Sequence, residues 1–204
     1  MSNPVDISAE ARMIGIKGTT YLVPLRLGEI AVPYYDTSMA MEYQRIATEL
    51  NAMAKADQEM RTQSIKDISL WDDSIDHKNT TRLKEIITQI GWPTITKVGP
   101  KASQSAWLIV QHATAEPDFM KRCLGLMQRV KKGDVAPTNI AFLEDRILTM
   151  EGKLQVYGTQ FHTVDGVTTP FPIEDPEYVD ERRARVGLDS FAENQARIKA
   201  MYHL

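Results

Sequence analysis

The chain has 204 residues, long enough for one sizeable hydrophobic core with room for a small second module. Its 43% hydrophobic and 25% charged residues exclude wholesale disorder. A net charge of -3 argues against general nucleic-acid binding, because neutralising phosphates requires a basic surface.

The single cysteine, Cys123, excludes an internal disulfide and any multi-cysteine zinc site. It falls among Phe119, Met120, Leu124 and Met127 in a helical pattern, which predicts a small buried hydrophobe. No segment has the ~18–20 continuous apolar residues of a membrane helix, and the N-terminus lacks the basic-then-apolar pattern of a secretory signal. A cytoplasmic protein without membrane contact is expected.

In chain order, residues 1–36 read as an N-terminal arm or hairpin and 37–204 as a single helical domain. Ile14 to Leu27 is extended in character, with a turn around Lys17-Gly18 and with Pro24 favouring an edge. From Thr37 to about Arg61, Met39, Tyr43, Ile46, Leu50, Met53 and Met60 recur at helical steps. Asp57 and Arg61 continue the row through Leu50 and Ala54, either as an ion pair beside the apolar stripe or as an exposed i,i+4 pair. The polar stretch Ser64–Asn79 spaces aspartates around Trp71, but it lacks the glycine and terminal glutamate of a calcium loop. A helix from Thr80 ends at Gly91-Trp92-Pro93, and another runs from about Lys101 to Ala115 with His112 at the margin of its buried face. Pro117 opens a helix through Val130. Thr138 or Asn139 caps the next, which ends at Gly152.

Gln155–His162 and Val167–Ile173 then flank Val164-Asp165-Gly166, a hairpin signal. Two short helices divided at Gly187 complete a mainly α fold: a helical bundle with a small β-hairpin near 153–173.

Several polar residues are candidates for chemistry. In a regular strand Gln155, Tyr157 and Thr159 share one side and Gln160 the other, and Gly158 admits a close ligand or backbone, so Tyr157 and Gln160 both face a ligand only across a bulge at Gly158. His112 is the best general acid–base candidate, and Ser105, seven residues earlier on the same face, has no nearby aspartate to make a triad. Asp145 and Arg146 diverge by roughly 100° on a helix and therefore reach different partners. Glu144 falls in the apolar stripe of Ile140 and Ile147, where burial would raise its pKa. The histidines His77, His112, His162 and His203 have no metal-ligand spacing, which leaves only a site assembled in space from His112, His162 and a carboxylate. No glycine-rich phosphate loop is present, and no cofactor is identified.

Taken in order, Asp57-Gln58-x-x-Arg61, Asn79, Gly91-Trp92-Pro93, Val98-Gly99, Gln111-His112-Ala113, Asp145-Arg146 and Gly152-Lys153-x-Gln155-x-Tyr157-Gly158-Thr159-Gln160 resemble a widespread bacterial domain family of unknown function. The likeness covers roughly Thr48 to Leu188 and ends in Pro172-Ile173-x-Asp175 and Arg182-Arg183-x-x-x-Gly187-Leu188. It implies no activity. It implies either a shared pocket built from Arg61, His112, Asp145, Arg146, Tyr157 and Gln160, or a structural hydrogen-bond network. The expected function is a small-molecule enzyme using acid–base chemistry on an anionic, amino-acid-like metabolite. His112 is its acid or base, oriented by Asp145; Arg61 and Arg146 hold the anion; Tyr157 and Gln160, flanked by Gln155 and Thr159, position a carbonyl or hydroxyl. The alternative is a non-catalytic ligand-binding or protein-interaction module in which the same residues brace the fold.

Overall fold

The computed structural model describes the backbone of residues 11–16, 19–24, 32–33 and 37–202, and side chains from 38 to 201. Lys17-Gly18 and His203 lie outside the described residues. The chain divides into two compact units, Met1–Gln44 and Arg45–Leu204.

In the first unit, β1 (Ala11–Ile16) pairs antiparallel with β2 (Thr19–Pro24), and β2 pairs antiparallel with β3 (Val32–Pro33). Pro24 is therefore on the middle strand, not an edge. It sits at the strand's end, beyond the Tyr21–Leu22 stretch that pairs with β3, so its missing N–H removes no rung on that side.

Helix α1 (Thr37–Lys66) runs through the division and continues past Arg61. A single 3-10 turn, Ile68–Leu70, links it to α2 (Asp73–Ile90). The polar stretch around Trp71 is thus largely helical. Asp72 caps α2 by accepting from the Ser74 amide, and Asp73 and Asp76 place negative charge in the first turn, where the helix dipole favours it. Gly91, at φ 69°, ends α2.

Helix α3 (Ile95–His112) is broken near its start by Gly99 (φ 80°, ψ 164°) before Pro100, and His112 is its last residue. Helix α4 (Pro117–Arg129) begins with proline, and so does α5 (Pro137–Met150); Pro137, not Thr138 or Asn139, opens α5, because a first-turn residue needs no N–H partner. The core lies among these helices: Ile46 and Leu50 from α1, Leu83 and Ile86 from α2, Ala106 and Val110 from α3, Met120 and Cys123 from α4, and Leu143 from α5. Burial pushes the Cys123 thiol up to about 12, which keeps it protonated and inert.

The hairpin is shorter than the sequence suggests. Strand β4 (Phe161–Val164) pairs with β5 (Val167–Pro170) across Asp165-Gly166, both at positive φ as a tight two-residue turn requires. After a 3-10 turn at Pro176–Tyr178 come α6 (Val179–Val186) and α7 (Phe191–Tyr202), separated by Gly187 in the left-handed conformation. Ser190 and Glu193 form a reciprocal capping box at the start of α7. Among the described residues no helix is long and apolar enough to cross a membrane.

Burial separates two aliphatic truncations sharply. Leu83→Ala, at a fully buried site, is expected to cost about 2–5 kcal/mol in urea denaturation. Ile65→Ala, at a site 86% exposed, is expected to change stability by less than about 0.5 kcal/mol.

Candidate functional site

Two polar clusters contain nearly all the residues singled out by the sequence. The first gathers on α1, α2 and the end of α3. Asp57 is 1% exposed on α1, and its carboxylate accepts from Arg61 Nε at 3.0 Å, one helical turn on. Both Asp57 oxygens lie 2.9 Å from His112 Nδ1. Arg61 Nη2 reaches across to Asp76 on α2, at 2.7 and 2.8 Å from its two oxygens, and the guanidinium stacks 4.9 Å from the Trp71 ring centre. The ion pair beside the apolar stripe is therefore the buried form of the two expected.

The tautomer of His112 follows from these contacts. Arg61 Nε lies 3.1 Å from His112 Nδ1, but a ring nitrogen cannot accept that proton while giving its own to Asp57. Two carboxylate oxygens at 2.9 Å place the hydrogen on Nδ1, and the Arg61 proton goes to Asp57. In the neutral ring the remaining nitrogen, Nε2, carries the lone pair. His112 lines a cleft of about 330 Å³ together with Trp71, Asp73, Asp76, His77 and Glu116.

The carboxylates respond to this setting in opposite ways. Burial alone would raise Asp57, but the hydrogen bonds from His112 and Gln58 and the nearby charges of His112 and Arg61 outweigh it, lowering its pKa from 3.8 to about 2. Asp76 is raised by burial, which the bond and charge of Arg61 only partly offset. Asp57, Asp76 and His112 are also the group among the described residues whose ligand atoms, all within 4.8 Å of one another, could hold a metal. The Arg61 cation already bridges both carboxylates. His162 is elsewhere, on β4 with its ring 4.6 Å from Phe171, and does not join His112.

The second cluster surrounds 155–160, and here the expected strand is absent. The segment is an irregular loop with one parallel bridge, Gln155 to Ile173. Asp145, fully buried on α5, accepts from the amides of Val156 (2.7 Å), Tyr157 (3.0 Å) and Thr159 (3.0 Å) and from the Thr159 hydroxyl (2.9 Å). Gln155, also fully buried, accepts from the Gln160 amide at 2.9 Å and donates to the carbonyls of Gln160 (3.0 Å) and Phe171 (2.8 Å). The carbonyls of Val156, Tyr157 and Gly158 accept from Arg182, Arg183 and Asn194. Side chains thus satisfy the backbone of 156–159, which has no ladder partner, while Gln155 and Gln160 at its ends keep backbone bonds to the 171–174 segment. Gly158, at φ 66°, is covered by Phe191 and not by a ligand; a Cβ there would lie 2.8 Å from that ring.

The site residues therefore separate. Asp145 does not orient His112; Asp57 does. Gln155, Thr159 and Gln160 are held in internal bonds, with Gln160 Nε2 donating to Thr159 Oγ1 at 3.0 Å, and Arg61 is engaged by Asp57 and Asp76. Tyr157 is half-buried and its hydroxyl makes no hydrogen bond among the described residues; burial, then the charges of Glu144 and Asp145, raises its pKa. It is not among the residues that line the cleft of His112. Glu144 is half-buried, and burial, then the Asp145 charge, raises it as the sequence suggested. Ser105 gives its hydroxyl to Asn51 and the Lys101 carbonyl. Asp76 and Trp71 were hidden inside the rejected calcium-loop pattern. Arg183, which enters the sequence pattern only through Arg182-Arg183, is 1% exposed.

Residues 44–204 match a family of unknown function (DUF6624), and the chain belongs to it. No curated protein and no solved structure matches the chain.

Asp145→Ala orphans three amides and a hydroxyl and is expected to cost at least roughly 3 kcal/mol in chemical denaturation. For Asp57 the unfolded chain binds a proton more readily than the folded one. Its contribution to stability is therefore present above about pH 4 and lost as pH falls toward 2. Stability measured by urea titration across that window should fall less steeply with acid in Asp57→Asn than in the wild type.

Proposed function

We propose that the protein is a small-molecule enzyme in which His112 acts as general acid or base, with Asp57 as its positioning residue. The observation that carries this reading is the Asp57 carboxylate at 2.9 Å from His112 Nδ1, which leaves Nε2 as the imidazole's reactive nitrogen on a residue that lines a cleft. When Nε2 takes a proton from water or from a substrate O–H or N–H, the imidazolium formed stays bonded to Asp57, whose charge stabilises it. Returning the proton to a leaving group completes hydrolysis, group transfer or elimination. Of the carboxylates that line the cleft, Asp76 is paired with Arg61 and Glu116 with Lys84, which leaves Asp73 to receive the ammonium end of an amino-acid-like metabolite. A buried, unreactive Cys123 suits a cytoplasmic setting.

A second reading, a binding module without chemistry, is favoured by the internal bonding of Asp145, Gln155, Thr159 and Gln160, which accounts for those identities with no ligand. His112→Asn separates the two. Its amide can still donate to Asp57, and Asp57 retains Arg61 and Gln58. An enzyme predicts that the wild type depletes an amine-bearing metabolite from a cell extract, followed by mass spectrometry. The variant should melt normally and lose about 10²–10⁴ in rate. No depletion by the wild type, or an equal rate in the variant, supports the binding module.

A further inference from the structure

Gln111 precedes His112 on α3 and is 3% exposed, yet among the described residues its Nε2 has no acceptor. Arg146, half-buried on α5, has an enclosed Nε that also lacks an acceptor. Helical spacing, carried on from two contacts between α3 and α5, puts these donors on one rung. Asn139 Nδ2 donates to Gln104 Oε1 at 2.7 Å, and Trp107 meets Phe142 edge-on with ring centres 6.0 Å apart. Each helix advances three residues between those contacts. The next turn, four residues further along each helix, sets Gln111 opposite Arg146.

Among the described residues nothing supplies the missing acceptor. The Asp145 oxygens are engaged by loop amides, and Glu144, two positions from Arg146, projects about 200° round the helix from it. The charge felt at Arg146 is a second cation, Arg61, which together with the larger effect of burial lowers its pKa, although an arginine stays charged at neutral pH. Buried donors are nearly always paired, and a buried cation without a counter-charge is costly. We infer that Gln111 and Arg146 form the donor half of a binding site for a small oxyanion, a carboxylate or phosphoryl group, whose oxygens complete both donors. A guanidinium edge suits such a group because it offers two parallel N–H bonds. The inference stands apart from the acid–base reading, since an anion can bind there whether or not His112 transfers protons.

The test uses the full chain and thermal melting in chloride, phosphate or succinate at matched ionic strength. Wild type is expected to gain about 3 °C or more when phosphate or succinate reaches roughly ten times its Kd. The anion that stabilises identifies the group as phosphoryl or carboxylate. Arg146→Met should lose this response and, in chloride, melt no lower than wild type, because it removes an uncompensated cation. Gln111→Leu should respond more weakly, and His112→Asn should respond as wild type does, which keeps this result separate from a failure of the catalytic proposal. The inference is overturned if neither anion stabilises the wild type, if Arg146→Met responds like the wild type, or if Arg146→Met melts several degrees lower in chloride or fails to fold.

Discussion

A buried backbone without a sheet or helix to pair with must find its hydrogen bonds elsewhere, and in this protein the Asp145 carboxylate meets that need. Its two oxygens gather three amides and a hydroxyl from Val156, Tyr157 and Thr159. With those amides fixed, the loop carbonyls face Arg182, Arg183 and Asn194, which ties α6 and α7 to it. Gln155 closes the far end against Gln160 and Phe171 and so sets where the hairpin begins. Removing the carboxylate would unseat the loop, the hairpin base and the last two helices together.

The contrast with the His112 cluster divides residues that look alike in sequence. Asp145 and Asp57 are both fully enclosed aspartates, but Asp145 accepts from uncharged loop groups, whereas Asp57 bonds an imidazole and a guanidinium. The first arrangement has no spare valence. The second ends in a ring nitrogen that makes no hydrogen bond among the described residues, on a residue bordering a cleft. A polar residue with every donor and acceptor satisfied from within holds the fold. One with a vacant position is where a ligand gains most.

Much of the fold was legible because it rests on local signals. Helical steps located α1 and α3–α5, Asp165-Gly166 located the hairpin, and Gly187 located the break before α7. The start of α2 was obscured because Asp72, Asp73 and Asp76 cap and charge-match a helix with the residues that would also build a polar loop. The strand at 155–160 was misread for a related reason. Alternating polar side chains look like a strand face, whereas Gln155 and Thr159 turn theirs toward their own backbone and Asp145. The row through Leu50 and Ala54 brought Asp57 and Arg61 to notice. No local spacing could show that the partner of Asp57 stood 55 positions away at the end of α3. Asp145 was paired with His112 on chemical type alone, and tertiary packing decides that question.

The guanidinium of Arg183, 1% exposed, joins the Tyr157 carbonyl to Asp189 just before α7. This linkage divides the chain by dependence. The apolar cluster of α1–α5, as described, draws on no side chain beyond residue 147. The loop at 155–160 has no such independence: its carbonyls are met by residues 182, 183 and 194. A chain cut short before residue 182 would therefore keep every apolar side chain of that cluster and lose all three of the loop's carbonyl partners.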